Sequence, residues 1–165
     1  MKKMLALMTI MILCLSCNDK KYKEDITLTI EKIGTAQALC GVYIDSYKDV
    51  WSKAIQDKTY EGKYCSDYNE AIAKHYKKIQ ELDNFKELSS DIQNIEETIK
   101  GLKNYPSKYK DAYNELVEIF TDLNELYEYA NYPKGSLLTY SSKTLDLYQN
   151  LSKKVKEFKI KYTDQ

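Results

Sequence analysis

Residues that interrupt helices are scarce in this chain, which has five glycines and two prolines among its 165 residues. Between them, apolar side chains recur at alternating steps of three and four, the spacing that places side chains on one face of an α-helix. No stretch of the sequence shows the sustained alternation with period two that is typical of a strand. The pattern predicts an all-α fold, an elongated antiparallel bundle of about four long helices joined by short loops.

Four apolar stripes mark the expected helices, the first over about residues 24–56 with Gln37 as its polar member and Gly41 in its interior. The stripes are Ile26, Ile30, Ile33, Gln37, Cys40, Ile44, Tyr47, Trp51 and Ile55; Tyr68, Ile72, His75 or Tyr76, Ile79 and Leu82, continued by Phe85, Leu88, Ile92, Ile95, Ile99 and Leu102; Tyr109, Ala112, Leu116, Ile119, Leu123, Leu126 and Ala130; and Leu138, Leu145, Tyr148, Leu151, Val155, Phe158 and Tyr162. Successive steps of three at Leu82, Phe85 and Leu88 break the phase of the second stripe, which predicts a kink near residues 83–90.

Capping residues are expected at the junctions between these helices. Ser66 or Asp67 can cap the second helix, and Pro106 can occupy the first position of the third. Pro133, Gly135 and Ser136 predict a tight interhelical turn: the proline ends one helix, the glycine permits an unusual backbone conformation, and Ser136 caps the fourth helix.

The N-terminus has the pattern of a secretory signal peptide over residues 1–16. Lys2 and Lys3 precede an apolar run from Met4 to Leu15 that is interrupted only by Thr9. As a helix this run would be about 18 Å long, which is short of the roughly 30 Å hydrocarbon core of a bilayer. It is therefore typical of a signal-peptide core and not of a transmembrane helix.

The segment Leu13-Cys14-Leu15-Ser16-Cys17 resembles a bacterial lipobox. The resemblance implies cleavage before Cys17 and acylation of Cys17 with a diacylglycerol and an amide-linked chain such as palmitate, which together give stable anchoring in a lipid bilayer. The expected product is exported and anchored to a bacterial membrane, facing the periplasm or the cell exterior. An ordinary cleaved signal with a chance cysteine is the alternative. Residues 17–25 are then a polar lipidated tether, and residues 26–163 form a single helical domain.

Composition argues against several classes of function. All 25 basic residues are lysines, they are interspersed with 25 acids, and no basic stripe suited to nucleic acid is apparent. The lone histidine, His75, falls beside a core stripe without the spacing of a metal or catalytic motif. We expect neither an enzyme nor a cofactor.

Cys40 and Cys65 remain after lipidation of Cys17. An even pair outside the cytoplasm suggests a disulfide. Cys40, however, precedes the expected end of its helix by roughly 24 Å, so residues 57–64 would have to run almost straight back along the helix to form one. Two buried thiols are the alternative.

Four short elements resemble a family of small, uncharacterised exported helical bacterial proteins. They are Trp51-x-x-Ala54-Ile55, Asp67-Tyr68-Asn69-x-Ala71-Ile72, Tyr105-Pro106-x-x-Tyr109-x-x-Ala112-Tyr113 and Pro133-x-Gly135-Ser136-Leu137. The resemblance covers about residues 40–160, and Pro-x-Gly-Ser-Leu is its most specific element. It implies a helical fold and an export route, and no mechanism.

These observations favour a membrane-anchored lipoprotein of the cell envelope, a non-catalytic binding or structural module that contacts an envelope protein. One alternative is an immunity or phage-exclusion lipoprotein. Another is a carrier that holds a small ligand in a cavity between its helices.

Overall fold

The computed structural model describes the backbone of residues 2–104 and 106–163 and the side chains of residues 19–104 and 106–163. The elements are α1 (Lys2–Asp57), β1 (Thr59–Tyr60), β2 (Lys63–Tyr64), α2 (Tyr68–Glu81), α3 (Asp83–Gly101), a 3₁₀ turn (Ser107–Tyr109), α4 (Lys110–Asn131) and α5 (Leu137–Tyr162). The all-α class is confirmed. The predicted signal peptide and Cys17 lie outside the residues whose side chains are described.

The core face of α1 follows the predicted stripe as far as Trp51. Each fully buried isoleucine on it contributes about 1.5–3 kcal/mol relative to exposure to water. Gln37 is buried and its Nε2 donates to the Tyr148 carbonyl at 2.9 Å, so the polar member of the stripe is satisfied. Ile55 is wrongly predicted: it is 52% exposed and Ala54 is buried instead, because the alternation continues from Trp51 with a step of three.

The packed part of α1 begins upstream of the expected boundary between tether and domain at residue 26. Asp19 accepts an ion-pair hydrogen bond from Lys108 at 2.6 Å, and Tyr22 is buried and donates to the Leu102 carbonyl at 2.9 Å. A tyrosine can be buried at this place because its hydroxyl finds a backbone acceptor on the end of α3. Residues 19–25 therefore belong to the folded helix in this structure.

The helical segment from residue 68 to residue 101 is interrupted at Leu82, one residue before the predicted range 83–90. Leu82 has an extended backbone (φ −69°, ψ 129°), ends α2 and precedes α3. Its carbonyl accepts from the amides of Phe85 and Lys86, which starts the new helix. The single extended residue shifts the phase, so that Ile79 and Phe85 are both buried while Leu82 is exposed.

A short β-hairpin connects α1 to α2, where the sequence predicted only a short loop. Thr59 pairs with Tyr64 and Tyr60 with Lys63. Glu61 and Gly62 both have positive φ, at 51° and 74°, as the tight turn of a two-residue hairpin requires. After the hairpin, Asp67 caps α2 by accepting from the Glu70 amide.

Two predictions about the third and fourth predicted helices, which correspond to α4 and α5, are wrong. Pro106 does not start α4: its backbone is extended (φ −61°, ψ 142°), it leads into the 3₁₀ turn, and α4 begins at Lys110. Leu138 and Leu145, expected inside, are 80% and 51% exposed. The buried face of α5 instead starts at Tyr140, whose hydroxyl donates to the Tyr129 carbonyl at 3.0 Å and so allows complete burial.

Tyrosine hydroxyls connect α1 to distant parts of the chain. Tyr22 near the start of the described side chains reaches the end of α3, and Tyr47 in the second half of α1 donates to the Asn131 carbonyl at the end of α4 at 3.3 Å. Helix α1 packs against each of the other four helices. It is therefore the central element around which the core is built.

Candidate functional site

The predicted turn at Pro133, Gly135 and Ser136 is present between α4 and α5. Gly135 has φ 88°, in the left-handed region, and a Cβ there would lie 2.8 Å from the Thr139 Oγ1. Ser136 and Thr139 form a capping box, in which the serine hydroxyl accepts from the Thr139 amide and the threonine hydroxyl accepts from the Ser136 amide at 2.9 Å. Pro133 is buried. Gly135 and Ser136 therefore both have a structural role at the start of α5.

Cys40 and Cys65 are both buried free thiols in the structure, which is the second of the two arrangements considered from the sequence. Cys40 belongs to the main core, whereas Cys65 packs with Ala54 and Ala71 in a small satellite cluster. Ala54 lies about 21 Å from Cys40 along α1, far beyond the roughly 7 Å limit between the Cα atoms of a disulfide. Burial raises the pKa of the Cys40 thiol to about 12, so it stays protonated and unreactive at neutral pH.

His75 lies half-buried beside the hairpin in a chain of side-chain hydrogen bonds. Its Nε2 is 3.1 Å from the Ser46 Oγ, and its Nδ1 is 3.4 Å from the Tyr60 hydroxyl. The ring also meets the Tyr47 ring edge to face, with centroids 5.1 Å apart. Beside it is a cavity of about 230 Å³, lined by Val50, Lys53, Thr59, Tyr60, Glu61, Gly62 and His75.

The direction of these hydrogen bonds argues against nucleophilic chemistry at Ser46. The Ser46 hydroxyl donates to the Tyr43 carbonyl at 2.7 Å, so Nε2 of His75 is the donor to Ser46 and Nδ1 accepts from Tyr60. A histidine that activates a serine must instead accept its proton.

The pKa of His75 is lowered, by burial first and by Lys78 second, against an opposing effect of Glu61. The sequence had no signal that Ser46 and Tyr60 would meet His75.

A surface groove of about 420 Å³ runs between α1 and α5. It is lined by Ala38, Gly41, Val42, Ile44, Asp45, Lys48, Thr144, Leu145 and Tyr148. Val42 is 62% exposed and faces the groove together with the exposed Leu145, while Asp45 and Lys48 pair with each other at 3.1 Å on α1. The groove therefore combines exposed apolar side chains with a charged edge.

Gly41 and Tyr148, which both line this groove, lie in close contact. A Cβ at Gly41 would lie 3.0 Å from Cε2 of Tyr148, so the absence of a side chain lets the tyrosine ring lie close to α1. In the sequence, Gly41 is an interior residue of the first predicted helix and Leu145 is a predicted core residue. The sequence does not predict the groove, because it places Leu145 in the core and gives no sign that the Tyr148 ring approaches Gly41.

Within residues 19–104 and 106–163, no three His, Cys, Asp or Glu side chains are placed to hold a metal ion together. In the same part of the chain, no helix is both long and apolar enough to cross a membrane.

The chain matches no family model, no curated protein and no solved structure. The resemblance to exported helical proteins drawn from its short motifs remains a prediction.

Proposed function

We propose that this chain is a membrane-anchored lipoprotein of the bacterial cell envelope whose helical domain is a non-catalytic binding or structural module. The observation that carries the proposal is the short distance in sequence between the lipobox and the folded domain. Only Asn18 separates Cys17 from Asp19, which already pairs with Lys108. An acyl group on Cys17 would hold the domain directly against the bilayer surface.

The five helices are proposed to form an antiparallel bundle of four columns, with α2 and α3 sharing the second column. Three contacts support this arrangement. Tyr22 near the start of the described part of α1 meets Leu102 after α3, Tyr47 meets Asn131 at the end of α4, and Gln37 meets Tyr148 in the middle of α5. A four-column bundle of this kind is long and narrow, which suits a domain that binds a partner along its sides.

The groove between α1 and α5 is the candidate contact surface, and its proposed occupant is an apolar segment of an envelope protein. Exposed Val42 and Leu145 supply apolar area, and the Tyr148 ring supplies an amphipathic surface of the kind enriched at interfaces. The neighbouring Asp45 and Lys48 offer polar contacts at the rim. Such a patch on an otherwise charged helix surface is where protein contact is expected.

A photo-crosslinking amino acid at position 38, at the edge of the groove, tests this surface in intact cells. We expect capture of one envelope protein at constant stoichiometry, and loss of that product when Val42→Glu and Leu145→Glu are introduced together. The matched control is Leu28→Glu with Ile55→Glu, because these two side chains are similarly exposed, at 56% and 52%, and neither of them lines the groove. Equal capture from both double variants, or no specific product, would contradict the proposed contact.

A further inference from the structure

Four stretches of the chain meet at the end of the domain that follows Cys17. We name residues 19–25, 100–104, 106–111 and 158–163 the anchor-proximal end. The rings of Tyr22 and Tyr109 pack with centroids 4.9 Å apart, which joins α1 to the start of α4. The hydroxyl of Tyr162 donates to Glu115 at 3.0 Å, which joins the end of α5 to the first turns of α4.

Charge is concentrated in this end although the whole sequence is balanced. Its nine lysines are Lys20, Lys21, Lys23, Lys100, Lys103, Lys108, Lys110, Lys159 and Lys161, and its four acids are Asp19, Glu24, Asp25 and Asp111. The other described side chains comprise 14 lysines and 20 acids, so the excess of positive charge belongs to this end alone. The excess of lysine is not apparent in the sequence because the four stretches are far apart in the chain.

Seven of the nine lysines at this end are exposed to solvent, and Lys23 and Lys159 are partly exposed. Lys20 is 82% exposed and Lys21, Lys103 and Lys110 are exposed as well. Some of the charge is partly compensated: Lys20 lies 3.9 Å from Glu24, Lys108 pairs with Asp19, and Lys100 and Lys161 pair with Glu96 and Glu115 at 2.6 and 3.1 Å. Exposed ion pairs of this kind are weak, so the lysines remain available to a larger negative surface.

We propose that the anchor-proximal end rests on anionic lipid headgroups of the membrane that holds the anchor, which keeps the domain upright on the bilayer. The inference rests on the proposed acylation of Cys17, which would place Asp19 and its neighbours within a Debye length of the surface, about 8 Å at physiological salt. Lysines at that distance are attracted to an anionic leaflet. Their aliphatic stems can also lie along the interface while the ammonium groups reach the phosphates.

The test uses the acylated protein purified from its membrane, with the acyl mass verified first by intact mass spectrometry. An unacylated protein would refute the anchor and would be recognised before any lipid measurement. The acylated protein is placed in vesicles of phosphatidylcholine alone or mixed with phosphatidylglycerol, and the rate of amine labelling is measured at each lysine. We expect labelling of Lys20 to slow by about fivefold on the anionic vesicles, as one lysine contact with such a surface would give, and to recover in high salt.

Matched variants assign the effect to this surface. Replacing Lys21, Lys103 and Lys110 by Gln should reduce the slowing at Lys20, whereas replacing Lys63, Lys77 and Lys156, which are also exposed, by Gln should leave it unchanged. Equal labelling on the two kinds of vesicle, or slowing at all lysines alike, would overturn the proposal. Protection seen in intact cells but absent on both vesicles would assign this end to an acidic protein and would also overturn it.

Discussion

Gly34 and Gly41 occupy the same helix but have different surroundings. A Cβ at Gly34 would meet no atom within 4 Å, whereas one at Gly41 would meet the Tyr148 ring at 3.0 Å. Glycine inside a helix costs about 1 kcal/mol relative to alanine. The two residues look alike in the sequence and are distinguished only by the approach of α5.

We therefore expect Gly34→Ala to raise the free energy of unfolding by about 0.5–1 kcal/mol. Gly41→Ala should raise the free energy of unfolding by less than this, or should lower it, because the Tyr148 ring has to move away from α1. Urea unfolding followed by circular dichroism measures both. Equal gains from the two variants would show that the close approach of Tyr148 is not a constraint.

His75 makes stability depend on pH through its burial. Its pKa is lowered in the folded state, mainly by burial and further by Lys78, so the unfolded chain binds the proton more readily. The neutral, buried His75 ring contributes fully to the free energy of unfolding above the unfolded pKa of about 6.5. This contribution is lost as the pH falls through that value toward the lower folded pKa. Stability should decrease between pH 7.5 and pH 5.

The matched variant is His75→Gln, which retains hydrogen-bonding capacity and does not titrate. Its urea midpoint should change less between pH 7.5 and pH 5 than that of the unaltered protein, even if it is less stable at both. An identical pH dependence in the two proteins would mean that other groups govern the acid sensitivity.

At the scale of the elements, the start of α5 depends on two hydroxyl groups that share one capping box. Ser136→Ala should lower the free energy of unfolding by about 1 kcal/mol, because the Thr139 amide loses its acceptor. Thr139→Ala removes the reciprocal bond to the Ser136 amide. Since both bonds belong to one unit, the double variant should cost less than the sum of the single variants. A double-mutant cycle by urea unfolding tests this, and strict additivity would contradict a cooperative cap.

The helical stripes could be predicted from the sequence. Which face of a helix packs against its neighbours could not always be predicted. The stripe of α1 holds up to Trp51 because its repeat is regular, and Ser136 was identified because capping chemistry is local. Leu151, Val155 and Phe158 of α5 are buried as predicted. The phase of its first turns was wrong because Tyr140 is buried there instead of Leu138 and Leu145, with its hydroxyl donating to the Tyr129 carbonyl. That acceptor lies on another helix and leaves no local signature.

The same limit applies to the groove and to the environment of His75. Both require contacts between elements: α1 with α5 in the groove, and α1, the hairpin and α2 around His75. The break at Leu82 was nearly located from the sequence because successive steps of three reveal a phase change, although they do not identify the single extended residue that produces it.

At the scale of the whole molecule, anchoring and charge distribution support the same orientation. The lipobox would place a lipid at Cys17, and the adjoining end of the domain is the part with an excess of lysine. The groove between α1 and α5 lies farther along the helices, at residues 38–48 of α1, where a partner could reach it from the side. The proposed lipid anchor, the basic end beside it and the proposed lateral contact surface would together give a module held upright on a membrane.

The intact mass of the protein recovered from its own membranes tests the central claim most directly. We predict a chain that begins at Cys17 and carries the added mass of a diacylglycerol and an amide-linked acyl chain. The variant Cys17→Ala should lack this mass and should no longer partition into detergent. A chain that retains residues 1–16, or one that begins at residue 17 without any acyl mass, would contradict the account.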